Sequence, residues 1–204
     1  MDEAQIKAAT LACVRKASGR GKKPVVSAEF TLGSSGVRAD LAVFSEETIG
    51  LEIKSDKDSL RRLPSQMYAY ARYFDHVIAI IAPCHLKHLE IEQLYGASVW
   101  TYNQKGALIL LHQGVKNTIE EAALLDVLTQ AERRKGDFRS AIEARYGDTS
   151  REFWSSVARR PICPDDLPSL SRFSVNRARA RQWAAQRETR WSHWLAAQAC
   201  LETA

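Results

Sequence analysis

The chain contains no C-x-x-C pair. Its four cysteines, Cys13, Cys84, Cys163 and Cys200, are scattered over 204 residues. That spacing argues against a structural zinc site and against a disulfide framework. Reduced thiols, mostly buried, are the expected state. No apolar run approaches the ~20 residues needed to cross a bilayer. The start, Met1-Asp2-Glu3-Ala4, is acidic and lacks the apolar stretch of a signal peptide. A cytoplasmic protein with no membrane partner is the expectation. Internal repeats and low-complexity tracts are also missing, which excludes a solenoid. Acidic residues are the scarcer sign of charge, 24 against 29 basic ones, leaving a net charge of +5. The basic excess is uneven, with Arg-rich segments after Arg133, and this favours an anionic partner over a purely solubilising role.

What is present is enough apolar sequence, 45%, for a packed core. Glu3 to Lys16 has Ile6, Leu11 and Val14 at helical spacing. Ser18-Gly19-Arg20-Gly21-Lys22-Lys23-Pro24 stops that helix and forms a basic loop. Val25 to Leu32 reads as a strand. A helix is expected near Ser59 or Pro64, capped by Asp58. It presents Met67, Tyr70, Ala71 and Phe74 to the core. Val77 to Ala82 reads as a buried central strand, and His85 to Tyr95 as a short helix. Ser98–Tyr102 and Ala107–His112 are strands joined by the turn Asn103-Gln104-Lys105-Gly106. Beyond Gly114 only helices are expected: Thr118 to about Arg134, Asp137 to Tyr146, Arg151 to Arg160, and Ser174 to Glu202. Pro161, Pro164 and Pro168 should form a rigid, non-helical connector. This order argues for an α/β core with a mixed sheet flanked by helices, over residues 1–115, and a basic helical extension over 116–204.

One segment carries chemistry. Arg38-Ala39-Asp40-Leu41-Ala42-Val43-Phe44 and Ile49-Gly50-Leu51-Glu52-Ile53-Lys54 flank the polar turn Ser45-Glu46-Glu47-Thr48. Side chains alternate along a strand, so Glu52 and Lys54 share a face while Leu51 and Ile53 point to the other. A hairpin lays Asp40 near Glu52. Two carboxylates and an ammonium packed together call for a cation. The alternative is an ion cluster on an exposed sheet face.

Four stretches extend that reading. Glu29-Phe30-Thr31-Leu32-Gly33, Arg38 to Val43, Gly50 to Asp56, and Leu63-Pro64-Ser65-Gln66-Met67-Tyr68-Ala69-Tyr70 running into Phe74-Asp75-His76-Val77 together resemble the PD-(D/E)XK nuclease superfamily. Within it the chain looks like a small bacterial and phage group. One departure is Ala39, where the superfamily often has proline.

The resemblance implies a restriction-endonuclease-like core and a Mg²⁺- or Mn²⁺-dependent nuclease acting on DNA phosphodiesters. It implies that Asp40, Glu52 and the Ile53 carbonyl hold metal and that Lys54 handles the attacking water. Glu29 would add a third carboxylate, and Gln66 would face the site. Tyr70, one helical turn on, can share that face as a nucleic-acid contact, or be a core tyrosine with a satisfied hydroxyl.

Arg20, Lys22 and Lys23, with Arg177, Arg181 and Arg187 of the tail, are candidate nucleic-acid contacts. The tail tryptophans Trp183, Trp191 and Trp194 fit a stacking platform, or an amphipathic helix packed on the core or another subunit. The C-terminal helices are thus a candidate surface for a homo-oligomer or protein partner. The competing function is a non-catalytic nucleic-acid-binding or adaptor protein of a phage, repair or defence system on the same fold.

Overall fold

Alternation along two apolar runs builds the centre of the molecule. β2 (Arg38–Phe44) and β3 (Thr48–Lys54) form an antiparallel hairpin from Phe44↔Thr48 to Leu41↔Leu51. β1 (Val25–Thr31) pairs antiparallel with β2 on its outer side. β4 (His76–Ile81) and β5 (Ser98–Tyr102) run parallel to β3, and β6 (Leu108–His112) returns antiparallel. The six strands thus stand in chain order in one mixed sheet. The computed structural model describes residues 1–19, 21–171, 183, 184 and 186–192.

Each face of the sheet has its own core. On one face lies α1 (Glu3–Ala17), whose Ile6 and Leu11 pack with Leu41, Leu51 and Ile53. Asp2 and Gln5 form a capping box that fixes its first turn. On the other face lies α2 (Leu63–Ala71). Its Met67 and Tyr70, with Phe74 just beyond it, pack with Phe30, Ala42, Phe44 and Ala79. Pro64 stands in the first turn, where its missing N–H matters least.

Two short helices, α3 (Glu121–Asp126) and α4 (Gln130–Lys135), and the long α5 (Phe138–Ser156) follow the sheet. α5 contributes Ile142 to one core and Phe153 and Trp154 to the other. It covers the β1 edge of the sheet. Ser150 Oγ accepts from Val26 N–H at 3.0 Å, and Trp154 Nε1–H donates to the Pro24 carbonyl at 2.8 Å. A covered edge cannot recruit another strand. At the opposite edge Ile109, Leu110 and Leu111 of β6 are exposed.

Several expected elements take other forms. The helix expected at 85–95 is two 3₁₀ turns, Pro83–His88 and Ile91–Leu94. The helix expected from 118 breaks at Val127–Thr129, where Thr129 and Glu132 form a second capping box. The two helices expected over 137–160 are one. The helix runs through the polar run Asp148-Thr149-Ser150, where Ser150 spends its hydroxyl on β1. Residues Pro164–Leu170 form a 3₁₀ helix, so the proline connector is partly helical. Asp58 does not cap the next helix. It accepts from Ser55 N–H and Ser55 Oγ, while Ser59 caps the 3₁₀ turn Leu60–Arg62. Cys13, Cys84 and Cys163 are exposed rather than buried.

The chain divides into two compact units, Met1–Ser171 and Arg172–Ala204. The expected boundary after residue 115 therefore falls inside the first unit. Among the described residues no helix is long and apolar enough to cross a membrane.

Gly50 sets how closely α2 approaches the sheet. A Cβ there would lie 2.2 Å from the Phe74 ring, closer than any side chain can stand. Gly50→Ala is expected to destabilise the protein by about 1–3 kcal/mol through overpacking, measured by urea unfolding. Because Gly50 lies two residues before Glu52 on the same face, the displaced helix also moves Gln66 and Tyr70.

Candidate active site

The hairpin opens where its chemistry lies. Pairing of β2 with β3 ends at Leu41↔Leu51, and Asp40 follows on the splayed side. Asp40 Oδ2 accepts from Ile53 N–H at 2.7 Å, in place of a ladder bond. The Lys54 carbonyl accepts from Ala82 N–H beyond β4 at 2.8 Å. Neighbouring residues of a strand point their amide groups to opposite edges. The Ile53 carbonyl therefore faces the same gap as Asp40.

Glu52 is the centre of a buried network. Its Oε1 accepts from Lys54 Nζ at 2.7 Å and from Gln66 Nε2 at 2.6 Å. Its Oε2 accepts from the Tyr70 hydroxyl in a short bond. The Tyr70 oxygen accepts in turn from Asp40 N–H at 3.2 Å. Glu52 is 2% exposed and Lys54 5%, so both charges are withdrawn from bulk water. Such a pair is better tolerated the more of its lone pairs and protons are used, and here Gln66 and Tyr70 use lone pairs of Glu52 while two N–H donors of Lys54 remain. One atom is left over. Gln66 Oε1 is buried without a hydrogen-bond partner. An orphaned buried acceptor of this kind costs about 1–3 kcal/mol.

Burial pushes the Asp40 carboxyl up to about 7, and the neighbouring Glu52 charge adds to the rise. Lys7 opposes it, and the Ile53 N–H bond opposes it further. Burial, then the charges of Glu52 and Asp40, drives the Tyr70 phenol well above its ordinary value, so Tyr70 stays a donor.

Two residues of α1 complete the cluster and were not foreseen. Lys7 is 8% exposed. Its Nζ pairs with Glu3 one helical turn away, and stands 3.9 Å from Asp40 Oδ1. The signal was a lysine between Ile6 and Leu11, on the apolar stripe of the helix, which implies a buried partner for its charge.

The expected residues fare differently. Asp40, Glu52, Lys54, Gln66 and the Ile53 backbone converge. Tyr70, expected as a nucleic-acid contact, is fully buried and belongs to the Glu52 network instead. Glu29 lies opposite Asp40 in the β1–β2 register, between the pairs Ala28↔Leu41 and Phe30↔Ala39. Its φ is 56°, a left-handed backbone unusual within a strand. It makes an ion pair with Arg38 at 3.8 Å. The acid that reaches Asp40 from outside the hairpin through a shared lysine is Glu3.

Lys22 is exposed in the basic loop. Lys23 donates to the Arg15 and Gly19 carbonyls, where it satisfies the end of α1. Arg20, Arg177 and Arg181 lie outside the described residues. Within the second unit, Arg187 is exposed, and so are Trp183 and Trp191. Trp194 lies outside the described residues.

A hard divalent cation takes oxygen donors. Asp40, Glu52, the Ile53 carbonyl and the orphaned Gln66 Oε1 all offer oxygen, the donor type such an ion takes. Among the described residues, no group of three or more His, Cys, Asp and Glu side chains is placed to hold a metal. Any ion here would therefore lean on backbone and amide oxygens as well as on the two acids.

Comparison with known proteins gives a family. The family model described as bacteriophage P4 protein cII matches residues 1–135. The chain belongs to the bacteriophage P4 cII family. The region matched in this cII-family chain includes the whole sheet and every member of the Asp40–Glu52–Lys54 cluster. No curated protein matches the chain. A solved structure, the SPO1766 protein of unknown function from Silicibacter pomeroyi, is similar at 17% identity and a TM-score of 0.44. The similarity covers 66% of this chain and 90% of that one.

Proposed function

We propose that this protein is a metal-dependent nuclease that hydrolyses DNA phosphodiester bonds, on a restriction-endonuclease-like core. The observation that carries the reading is the convergence of Asp40, Glu52, Lys54 and Gln66 on the gap between β2 and β3. The elements in which the four resembling stretches fall also support it: strand, hairpin, helix and strand, in that order.

Asp40 Oδ1, Glu52 and the Ile53 carbonyl would hold Mg²⁺ or Mn²⁺. When bound, the ion polarises a phosphate oxygen and acidifies water. The chain's own groups do the rest. Lys54 spends one of its three N–H donors on Glu52, leaving two for water or a phosphate oxygen. A buried ammonium so placed offsets charge that builds during bond breaking. Gln66 Oε1, the unpartnered acceptor, would take a hydrogen bond from that water and so fix where it sits. Tyr70 holds Glu52 and the Asp40 backbone in register. Lys22 and the tail arginines would grip the phosphate backbone without reading sequence.

A second reading has one observation in its favour. Both Glu52 oxygens are already hydrogen-bonded by protein groups, which also suits a non-catalytic nucleic-acid-binding or adaptor protein of a phage, repair or defence system. One assay separates the two. Supercoiled, linear and single-stranded DNA and RNA are incubated with Mn²⁺ and wild type or Asp40→Ala. The nuclease reading expects DNA cleavage by wild type, stopped by EDTA and absent in the variant. DNA bound but never cut would favour the adaptor. Equal cutting by both proteins would remove the enzymatic claim.

A further inference from the structure

We propose that Lys7 holds, as a fixed ammonium, the place beside Asp40 that a second metal ion would take, so that the site accepts one divalent ion and not two. This rests on the reading of Asp40 and Glu52 as metal ligands.

The geometry fixes where the Lys7 ammonium stands. Ile6 and Leu11 anchor α1 against the sheet with no exposed surface. The capping box of Asp2 and Gln5 fixes the turn that carries Glu3. The Lys7 stem is buried and its Nζ is drawn between Glu3 and Asp40. Asp40 Oδ2 is committed to Ile53 N–H. Oδ1 is the oxygen left for a metal, and it is the oxygen Lys7 faces. An ion held by that oxygen at the β2–β3 gap would have the ammonium as its neighbour.

Charge points the same way. Glu3, Asp40 and Glu52 are three carboxylates, and Lys7 and Lys54 are two ammonium groups. With Asp40 ionised, as binding of a metal requires, the cluster carries one negative charge in excess. A single divalent ion turns that into one positive charge in excess. A second would leave three, beside two buried ammonium groups, which is strongly disfavoured. Without Lys7 the balance changes by one charge. Glu3 and Asp40 would then face each other with nothing between them, a second pair of oxygen donors.

The test counts ions. Wild type and variants are equilibrated with Mn²⁺ by dialysis, and bound Mn²⁺ is determined by electron spin resonance of the free ion. Wild type is expected to hold one ion per chain, lost in Asp40→Ala. Lys7→Met is expected to hold two, and Lys7→Arg one. Two ions per chain in wild type would overturn the proposal and leave the nuclease reading standing. So would one ion in a folded Lys7→Met. Wild type that binds no Mn²⁺, or binds it equally after Asp40→Ala, would overturn the metal reading and this proposal with it. Folding of Lys7→Met is checked by circular dichroism. The wild-type count needs no variant, so the proposal stays open to refutation if Lys7→Met unfolds.

Discussion

Lys54→Met is expected to lower DNA cleavage by about a hundredfold to a thousandfold, the usual cost of losing one donor aimed at developing charge. DNA binding, measured by fluorescence anisotropy, is expected to stay within about twofold of wild type. The separation follows from burial. Lys54 is 5% exposed and bonded to Glu52 at 2.7 Å, so it is no part of the surface that meets the phosphate backbone. Its charge matters at the reacting group alone. Methionine keeps the length of the stem and its packing. Glu52 keeps Gln66 and Tyr70 as donors, so the fold should survive. A variant that cuts as well as wild type would remove Lys54 from the chemistry. Loss of binding in the same proportion as cleavage would make Lys54 a substrate anchor instead.

The stability of the metal-free protein is expected to fall as pH rises from about 4 to about 7, and Asp40→Asn is expected to abolish much of that slope. The Asp40 carboxyl is raised from 3.8 to about 7 in the folded chain, by burial first and by Glu52 second. Between those values the folded protein keeps a proton that the unfolded chain has released. Stability is therefore greatest where both states are protonated, below about 4, as far as this group is concerned. It declines as pH climbs through the window and levels off above it. The sign is opposite to that of a salt-bridged carboxylate. At about 1.4 kcal/mol per unit the full window amounts to about 2–4 kcal/mol, allowing for partial solvent screening. Urea unfolding in EDTA at a series of pH values measures it. Asparagine is neutral throughout, so its profile should be the flatter one, and it should be the more stable protein near pH 8. Parallel profiles for wild type and Asp40→Asn would show that Asp40 titrates as an ordinary carboxyl.

The parts of this architecture that local pattern decides were readable in the sequence. Period-two alternation on both sides of Ser45-Glu46-Glu47-Thr48 specified the hairpin and hence the meeting of Asp40 with Glu52. The unbroken apolar run at Val77–Ala82 specified a central strand. Asn103 to Gly106 specified the last turn. What escaped was settled by contacts distant in sequence. Ser150 reads as a helix breaker until β1 is beside it. Leu128 is buried and Thr129 caps a new helix, so a continuous apolar periodicity conceals a break. Tyr70 and Tyr68 are similar residues in one helix; the first is buried in the core between α2 and the sheet, against Phe74 and Glu52, while the second is 53% exposed. Glu29 was read as a strand acid, but its backbone turns left-handed. Lys7 was passed over because lysines are normally solvated, although its place on the apolar stripe of α1 marked it.

The most direct test of the account is to soak crystals of the protein in Mn²⁺ and measure anomalous scattering. The account predicts a single strong peak per chain in the gap between β2 and β3, within coordination distance of Asp40 Oδ1, Glu52 and the Ile53 carbonyl. No peak there, with Lys54, Gln66 and Tyr70 still closed around Glu52, would contradict it.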